Sequence, residues 1–155
     1  MELTTLLDPT NEIKVKKLYP DAMLPTRGSS TAAGYDLYSR YNMPIEIPPH
    51  TTVMIGTGLS FELPDYTFAG IFARSGLATK KGLRPSNCVG VCDSDYRGEY
   101  IVALHNDTDI MQTIDAHERI AQMILLPYIP MRFTEVENLS DTERGAGGFG
   151  STGAN

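Results

Sequence analysis

Glycine and proline punctuate this chain so evenly that few of the intervening pieces could hold a long helix. Fourteen glycines and ten prolines in 155 residues fall at Pro20, Pro25, Gly34, Pro44, Pro48, Pro49, Gly56, Gly58, Pro64, Gly70, Gly76, Gly82, Pro85, Gly90, Gly98 and Pro127, among others. Between them lie β-branched and aromatic runs such as Ile13–Lys16, Thr51–Ile55, Thr67–Phe72 and Tyr100–Leu104, several alternating with period two. Short strands broken by turn signals about every 8 to 12 residues predict an all-β fold, a sandwich, jelly roll or barrel. Arg119–Leu126 also fits a helical stripe, but Pro127 stops it after two turns, so a buried strand is expected there. Ser75–Lys81 is the one stretch expected to be helical.

The length predicts one domain with a core of ordinary size. Lys plus Arg is 13 and Asp plus Glu is 19, a formal charge of −6, the wrong sign for gripping nucleic acid through its phosphates. The best apolar run, Met123–Met131, contains Pro127 and Pro130 and falls well short of the ~20 residues of a membrane span. No nucleic-acid or membrane partner is therefore expected. Met1–Asp8 has neither a basic start nor an apolar stretch, so a cytoplasmic location is expected, with a nuclear one left open. Cys88 and Cys92 are too few for a disulfide framework, and His50, His105 and His117 show no ligand spacing.

Three segments carry candidate chemistry. The ten residues from Arg144 to Gly153 include five glycines and cannot pack a core. They do hold a cation at the start, one aromatic in the middle (Phe149) and hydroxyls at the end (Ser151, Thr152). A Gly-rich backbone can approach a phosphate closely, Arg144 can grip it bidentately, and Phe149 offers a face for a flat ring; a disordered tail is the plainer reading. The Lys of a P-loop is missing. Gly90–Gly98 sets Asp93 and Asp95 two apart, on one face if extended, or as parts of a polar hairpin turn. Arg74-Ser75-Gly76 joins a cation and a hydroxyl at a helix start, fit for a phosphate or for a cap alone.

Five blocks in fixed order, Ala33–Ser39, Gly70–Leu77, Gly90–Glu99, Glu118–Gln122 and Arg144–Gly153, resemble the five motifs of the trimeric dUTP pyrophosphatases (dUTPases). The resemblance spans nearly the whole chain. It implies a dUTPase-like β jelly roll with one short helix over residues 1–143. A flexible Gly-rich C-terminal arm, 144–155, would close over the active site of a neighbouring subunit of a homotrimer. The implied reaction is dUTP + water → dUMP + pyrophosphate, which limits uracil incorporation into DNA and supplies dUMP for thymidylate synthesis.

By that resemblance Asp93 is the general base for a water attacking the α-phosphorus in line. Arg74, Ser75, Gly76 and Gln122 are phosphate contacts, and Arg144, Gly150, Ser151 and Thr152 belong to the clasp of the arm, with Phe149 over the base. Asn87 and Gly90, in a hairpin from about Leu83 to Tyr96, lie where the uracil edge is read. Tyr96 stands against the sugar and excludes a 2′-hydroxyl. Cytosine shows the opposite hydrogen-bonding pattern, and a site left with unpaired polar groups can reject it by roughly 10⁴ to 10⁵. Mg²⁺ on the triphosphate is the implied cofactor, with no direct protein ligand and Asp36 acting through water. Arg119 is expected to form a structural ion pair.

Two residues depart from the family pattern. His117 stands where Gly is usual, at a turn that often needs positive φ, and Cys92 where an aliphatic residue is usual. The alternatives are a dCTP deaminase-like enzyme, which Ala73–Leu77 disfavours, and a regulatory nucleotide-binding protein on the same scaffold.

Overall fold

The structure, a computed structural model, describes residues 12–148. Twelve strands and one helix follow in order. They are β1 (Lys14–Lys17), β2 (Thr26–Arg27), β3 (Tyr35–Tyr38), β4 (Ile45–Ile47), β5 (Thr52–Gly56), β6 (Leu59–Glu62) and β7 (Thr67–Phe72). Helix α1 (Ser75–Lys81) precedes β8 (Leu83–Pro85), β9 (Gly90–Asp93), β10 (Ile101–Asn106), β11 (Gln112–Ile114) and β12 (Arg119–Pro127). The mostly β expectation holds, α1 occupies the predicted stretch, and Arg119–Leu126 is a strand. Among the described residues no helix is long and apolar enough to cross a membrane.

All strand pairs are antiparallel. The largest sheet runs β2-β3-β12-β7-β9, and a second runs β5-β10-β8, with two-stranded sheets β1-β6 and β11-β4 beside them. Alternation puts Val102 and Leu104 of β10 inward, where they join Leu37, Ile55, Leu59, Ile71, Leu77, Leu83 and Ile120 in one core fed by every sheet, with β1 contributing only Val15 at its margin. Buried Asn106 is fully satisfied. Its Nδ2 donates to the carbonyls of Ile47 and Ile110, and its Oδ1 accepts from the Thr108 amide and hydroxyl, tying β4 to the turn after β10.

Helix α1 is short, with Leu77 its buried residue, so it is held mainly by tertiary contacts. Lys81 at its C-terminal end donates to the Thr113 carbonyl and to both Glu118 oxygens, where a cation also suits the helix dipole. After Pro127 no described residue is in a helix or strand.

The expected hairpin from Leu83 to Tyr96 is not formed. Strand β8 pairs with β10 while β9 pairs with β7, so the segment crosses from one sheet to the other. The crossing turns at Cys88, whose φ is 61°, with the Cys88 amide donating to Pro85 O at 3.1 Å and the Val89 amide to Asn87 O at 2.7 Å. No Asn-Gly or Asp-Gly pair is present to make a two-residue hairpin there.

Candidate active site

Two groups of polar residues flank β7. Along β9, from the crossing turn beside Ile71 to Asp93 beside Phe68, runs a cavity of about 360 Å³ lined by Asn87, Gly90, Asp93, Tyr96, Glu99 and Tyr100, with Met54 and Ile101 also in its lining. Strand β9 stops at Asp93, and a turn follows in which the Tyr96 amide donates to Asp93 O at 3.2 Å. Asp93 and Asp95 therefore do not share an extended face. Asp93 is exposed, and the structure gives its carboxylate no hydrogen bond or ion pair among the described residues. Tyr96 folds back over Gly98, where a Cβ would overlap its hydroxyl, and that hydroxyl donates to Glu99 O at 3.1 Å.

Cys92 faces the core beside Asp93. Burial pushes its thiol pKa up, opposed by a lowering contribution from Tyr100 and reinforced least by the Asp93 charge. A thiol so placed is a poor nucleophile at neutral pH.

Beyond the end of β7 remote from Asp93, Arg74 opens α1 with extended backbone (φ −86°, ψ 130°). Its Nε donates to Asp36 Oδ1 at 2.7 Å, while Arg119 Nη1 donates to Asp36 Oδ2 at 3.1 Å. Two guanidinium groups on one carboxylate leave an excess positive charge, which suits a polyphosphate. A register shift between Arg119 and Ala121 in β12 explains the approach of Arg119. The extra residue, Ile120, is fully buried, and the bulge turns Arg119 to the Asp36 side of the sheet. The ion pair expected of Arg119 thus has Asp36 as its partner.

Gln122 pairs with Asp36 across β12 and β3, and its Nε2 donates to Ala73 O at 2.9 Å. Gly34 makes room for it, because a Cβ there would overlap the Gln122 amide. Ser75 and Gly76 are exposed in the first turn of α1, where backbone N–H groups lack intrahelical acceptors.

Within one chain Asp93 is well separated from the second group. Asp93 pairs with Phe68 at one end of β7, and Gln122 with Phe72 at the other. At about 3.4 Å per residue and about 4.8 Å per strand, Asp93 and Gln122 lie roughly 16 Å apart, and Arg74 is further still.

Arg144 lies in the segment after Pro127, its Nε donating to Gly147 O at 3.1 Å. Phe149, Gly150, Ser151 and Thr152 lie outside the described residues. No group of three His, Cys, Asp or Glu side chains among the described residues could hold a metal. Asp36 is the carboxylate beside the Arg74 cluster, and each of its oxygens keeps a lone pair beyond its arginine. Such a hard anionic donor fits the water shell of a magnesium ion carried by a triphosphate.

Glu99 and Tyr100, both at the cavity, were not singled out by the sequence. Glu99 accepts from the Gly58 amide at 2.8 Å and faces Arg40 Nε at 3.3 Å. The adjoining Asp-Ser-Asp-Tyr-Arg-Gly run was the only available signal for it.

The dUTPase family model matches residues 21–153. The chain is 46% identical over 142 residues to a deoxyuridine 5′-triphosphate nucleotidohydrolase of Nautilia profundicola, covering 92% of this chain and 99% of that protein. To the enzyme of the same name from Oryza sativa subsp. japonica it is 45% identical over 141 residues, covering 91% and 80%. In structure it is similar to the dUTPase of Staphylococcus bacteriophage 80alpha with dUpNHpp, with a TM-score of 0.85 and 28% identity over 94% of this chain and all of that one.

Proposed function

The chain belongs to the dUTPase family, and from that premise we propose that it hydrolyses dUTP to dUMP and pyrophosphate, with Asp93 as the base and with each active site completed between subunits of a homotrimer. The observation that carries this reading is the cavity, which gathers Asn87, Gly90, Asp93 and Tyr96, while the cationic cluster of Arg74 and Arg119 stands at the end of β7 remote from Asp93.

The base and sugar occupy the cavity, with Asn87 and the turn backbone toward the uracil edge and Tyr96 against the sugar. A carboxylate with no internal partner is free to accept a proton. Asp93 takes one from a water as the water oxygen bonds to the α-phosphorus. The bond from that phosphorus to the α,β-bridging oxygen breaks, and pyrophosphate leaves with the electron pair. Positioning and charge neutralisation supply most of the rate.

Arg74, Ser75, Gly76 and Gln122 of a neighbouring chain meet the phosphates, a division supported by their distance from Asp93 in one chain. Asp36 holds Arg74 by its Nε, and the Arg119 carbonyl accepts from its Nη1 at 3.4 Å, leaving Nη2 for a phosphate oxygen. Mg²⁺ on the triphosphate would supply charge neutralisation, with Asp36 at its water shell. The arm from residue 144, with Arg144, Phe149, Gly150, Ser151 and Thr152, closes the site over γ-phosphate and base. The deaminase alternative finds no support in the comparisons.

Incubation with dUTP and Mg²⁺ in ¹⁸O-water tests the reaction. Label in dUMP is the expected result. Label in pyrophosphate or orthophosphate would overturn attack at the α-phosphorus.

A further inference from the structure

Three aromatic rings run in series from the core to the cavity. Phe61 of β6 is 3% exposed, Tyr100 is 2% exposed and Tyr96 is 45% exposed. The Phe61 and Tyr100 centroids are 4.6 Å apart at an interplanar angle of 53°, and Tyr100 and Tyr96 are 6.0 Å apart at 34°. Both geometries are favourable tilted pairs.

Tyr100 is the fixed member. Its amide donates to Leu59 O at 2.8 Å, and its carbonyl accepts from both the amide and the hydroxyl of Thr57, at 3.1 and 2.8 Å. Its own hydroxyl is buried without a hydrogen-bond partner of good geometry, the Cys92 thiol being the polar neighbour that bears on it. Since leaving a buried hydroxyl unpaired is unfavourable, the ring is the part of this side chain the fold uses. The remaining restraints on Tyr96, the Glu99 carbonyl and the space over Gly98, belong to its own turn.

We propose that Tyr100 is a positioning residue that sets the preference for a deoxyribonucleotide over a ribonucleotide, by fixing the Tyr96 ring from behind. The inference rests on the dUTP reading above. A ring excludes a 2′-hydroxyl only if it does not yield, and a displacement of about 1 Å is enough to loosen a site of this kind. Phe61 backs Tyr100, Tyr100 backs Tyr96, and the sugar meets a wall continuous with the core.

The test compares Tyr100→Phe, Tyr100→Val and Tyr100→Leu. Kinetics with dUTP are measured for each, together with the inhibition constant of UTP against dUTP. Tyr100→Phe keeps the ring and retains the parent's ratio of UTP inhibition constant to dUTP KM, with a Tm equal to or above the parent's. Tyr100→Val and Tyr100→Leu lower that ratio by about twofold to tenfold, the range to which one aromatic pair converts, with kcat little changed. Should either of these fail to fold, Phe61→Leu removes the backing one step further away and shifts the ratio in the same direction. An unchanged ratio in a folded Val, Leu or Phe61→Leu variant overturns the proposal, as does a Tyr100→Phe variant that loses discrimination. If the parent itself does not hydrolyse dUTP, the functional reading has failed rather than the role of Tyr100.

Discussion

The Nε of Arg74 donates to Oδ1 of Asp36 at 2.7 Å, joining the start of α1 to β3. Arg119 occupies the other carboxylate oxygen, so Asp36 holds two cations close together. Asp36→Asn keeps the shape and removes the charge that does this. The two guanidinium groups then repel, and Arg74 loses its orientation. Stability falls by about 1–3 kcal/mol, discounted for the half-exposed Arg119. The kcat/KM for dUTP falls by about tenfold or more. Urea denaturation and steady-state kinetics on the same preparation check both.

His117 takes a φ of 53°, and its Nδ1 is buried without a partner among the described residues. A non-glycine residue in this conformation costs of order 1–3 kcal/mol. His117→Gly relieves that strain against a larger entropy in the unfolded chain. The expected balance raises Tm by about 2–4 °C and leaves kcat unchanged, read by calorimetry and a dUTP assay.

The Cys92 thiol is held protonated in the folded chain, its pKa raised chiefly by burial. The unfolded chain ionises it near the ordinary value of roughly 8.5. Between that value and the raised folded one, the native state binds more protons, so stability is present at neutral pH and lost as pH rises. Cys92→Val removes this loss. Its Tm advantage over the parent widens from pH 8 to pH 10. A difference constant across that range contradicts the assignment.

Asp93→Asn removes the proton acceptor while keeping the volume of the side chain. Turnover of dUTP is abolished, and calorimetric affinity for a non-hydrolysable dUTP analogue stays within about threefold, as expected for a group that acts mainly in the transition state. Loss of both together would make Asp93 a structural residue.

Much of the fold was legible because glycine and proline cut the chain at nearly every turn. The break at Gly82 ended α1, and Pro127 ended β12. The crossing from β8 to β9 was not legible. Local residues mark a turn at Asn87–Val89 but carry no information on which sheet each flanking strand joins, a matter of long-range pairing with β10 and β7. The bulge at Ile120 was hidden for a similar reason, since an apolar run reads as buried whether or not its register slips. At the site, motif order marked Asp93, Tyr96, Arg74 and Gln122. Tyr100 escaped notice because an aromatic residue beside a strand looks like any other core residue until its ring neighbours are known.

Subunit complementation tests most directly whether Asp93 of one chain serves the phosphate cluster of another. Asp93→Asn and Arg74→Ala, each inactive alone, are unfolded together in equal amounts, refolded and assayed with dUTP. With sites built from two chains, random mixing in a symmetric assembly gives about a quarter of the sites both an intact Asp93 and an intact Arg74, and activity returns to roughly that fraction of the refolded parent's. If the mixture stays as inactive as its parts while refolding into mixed oligomers, both groups act within one chain and the account is wrong.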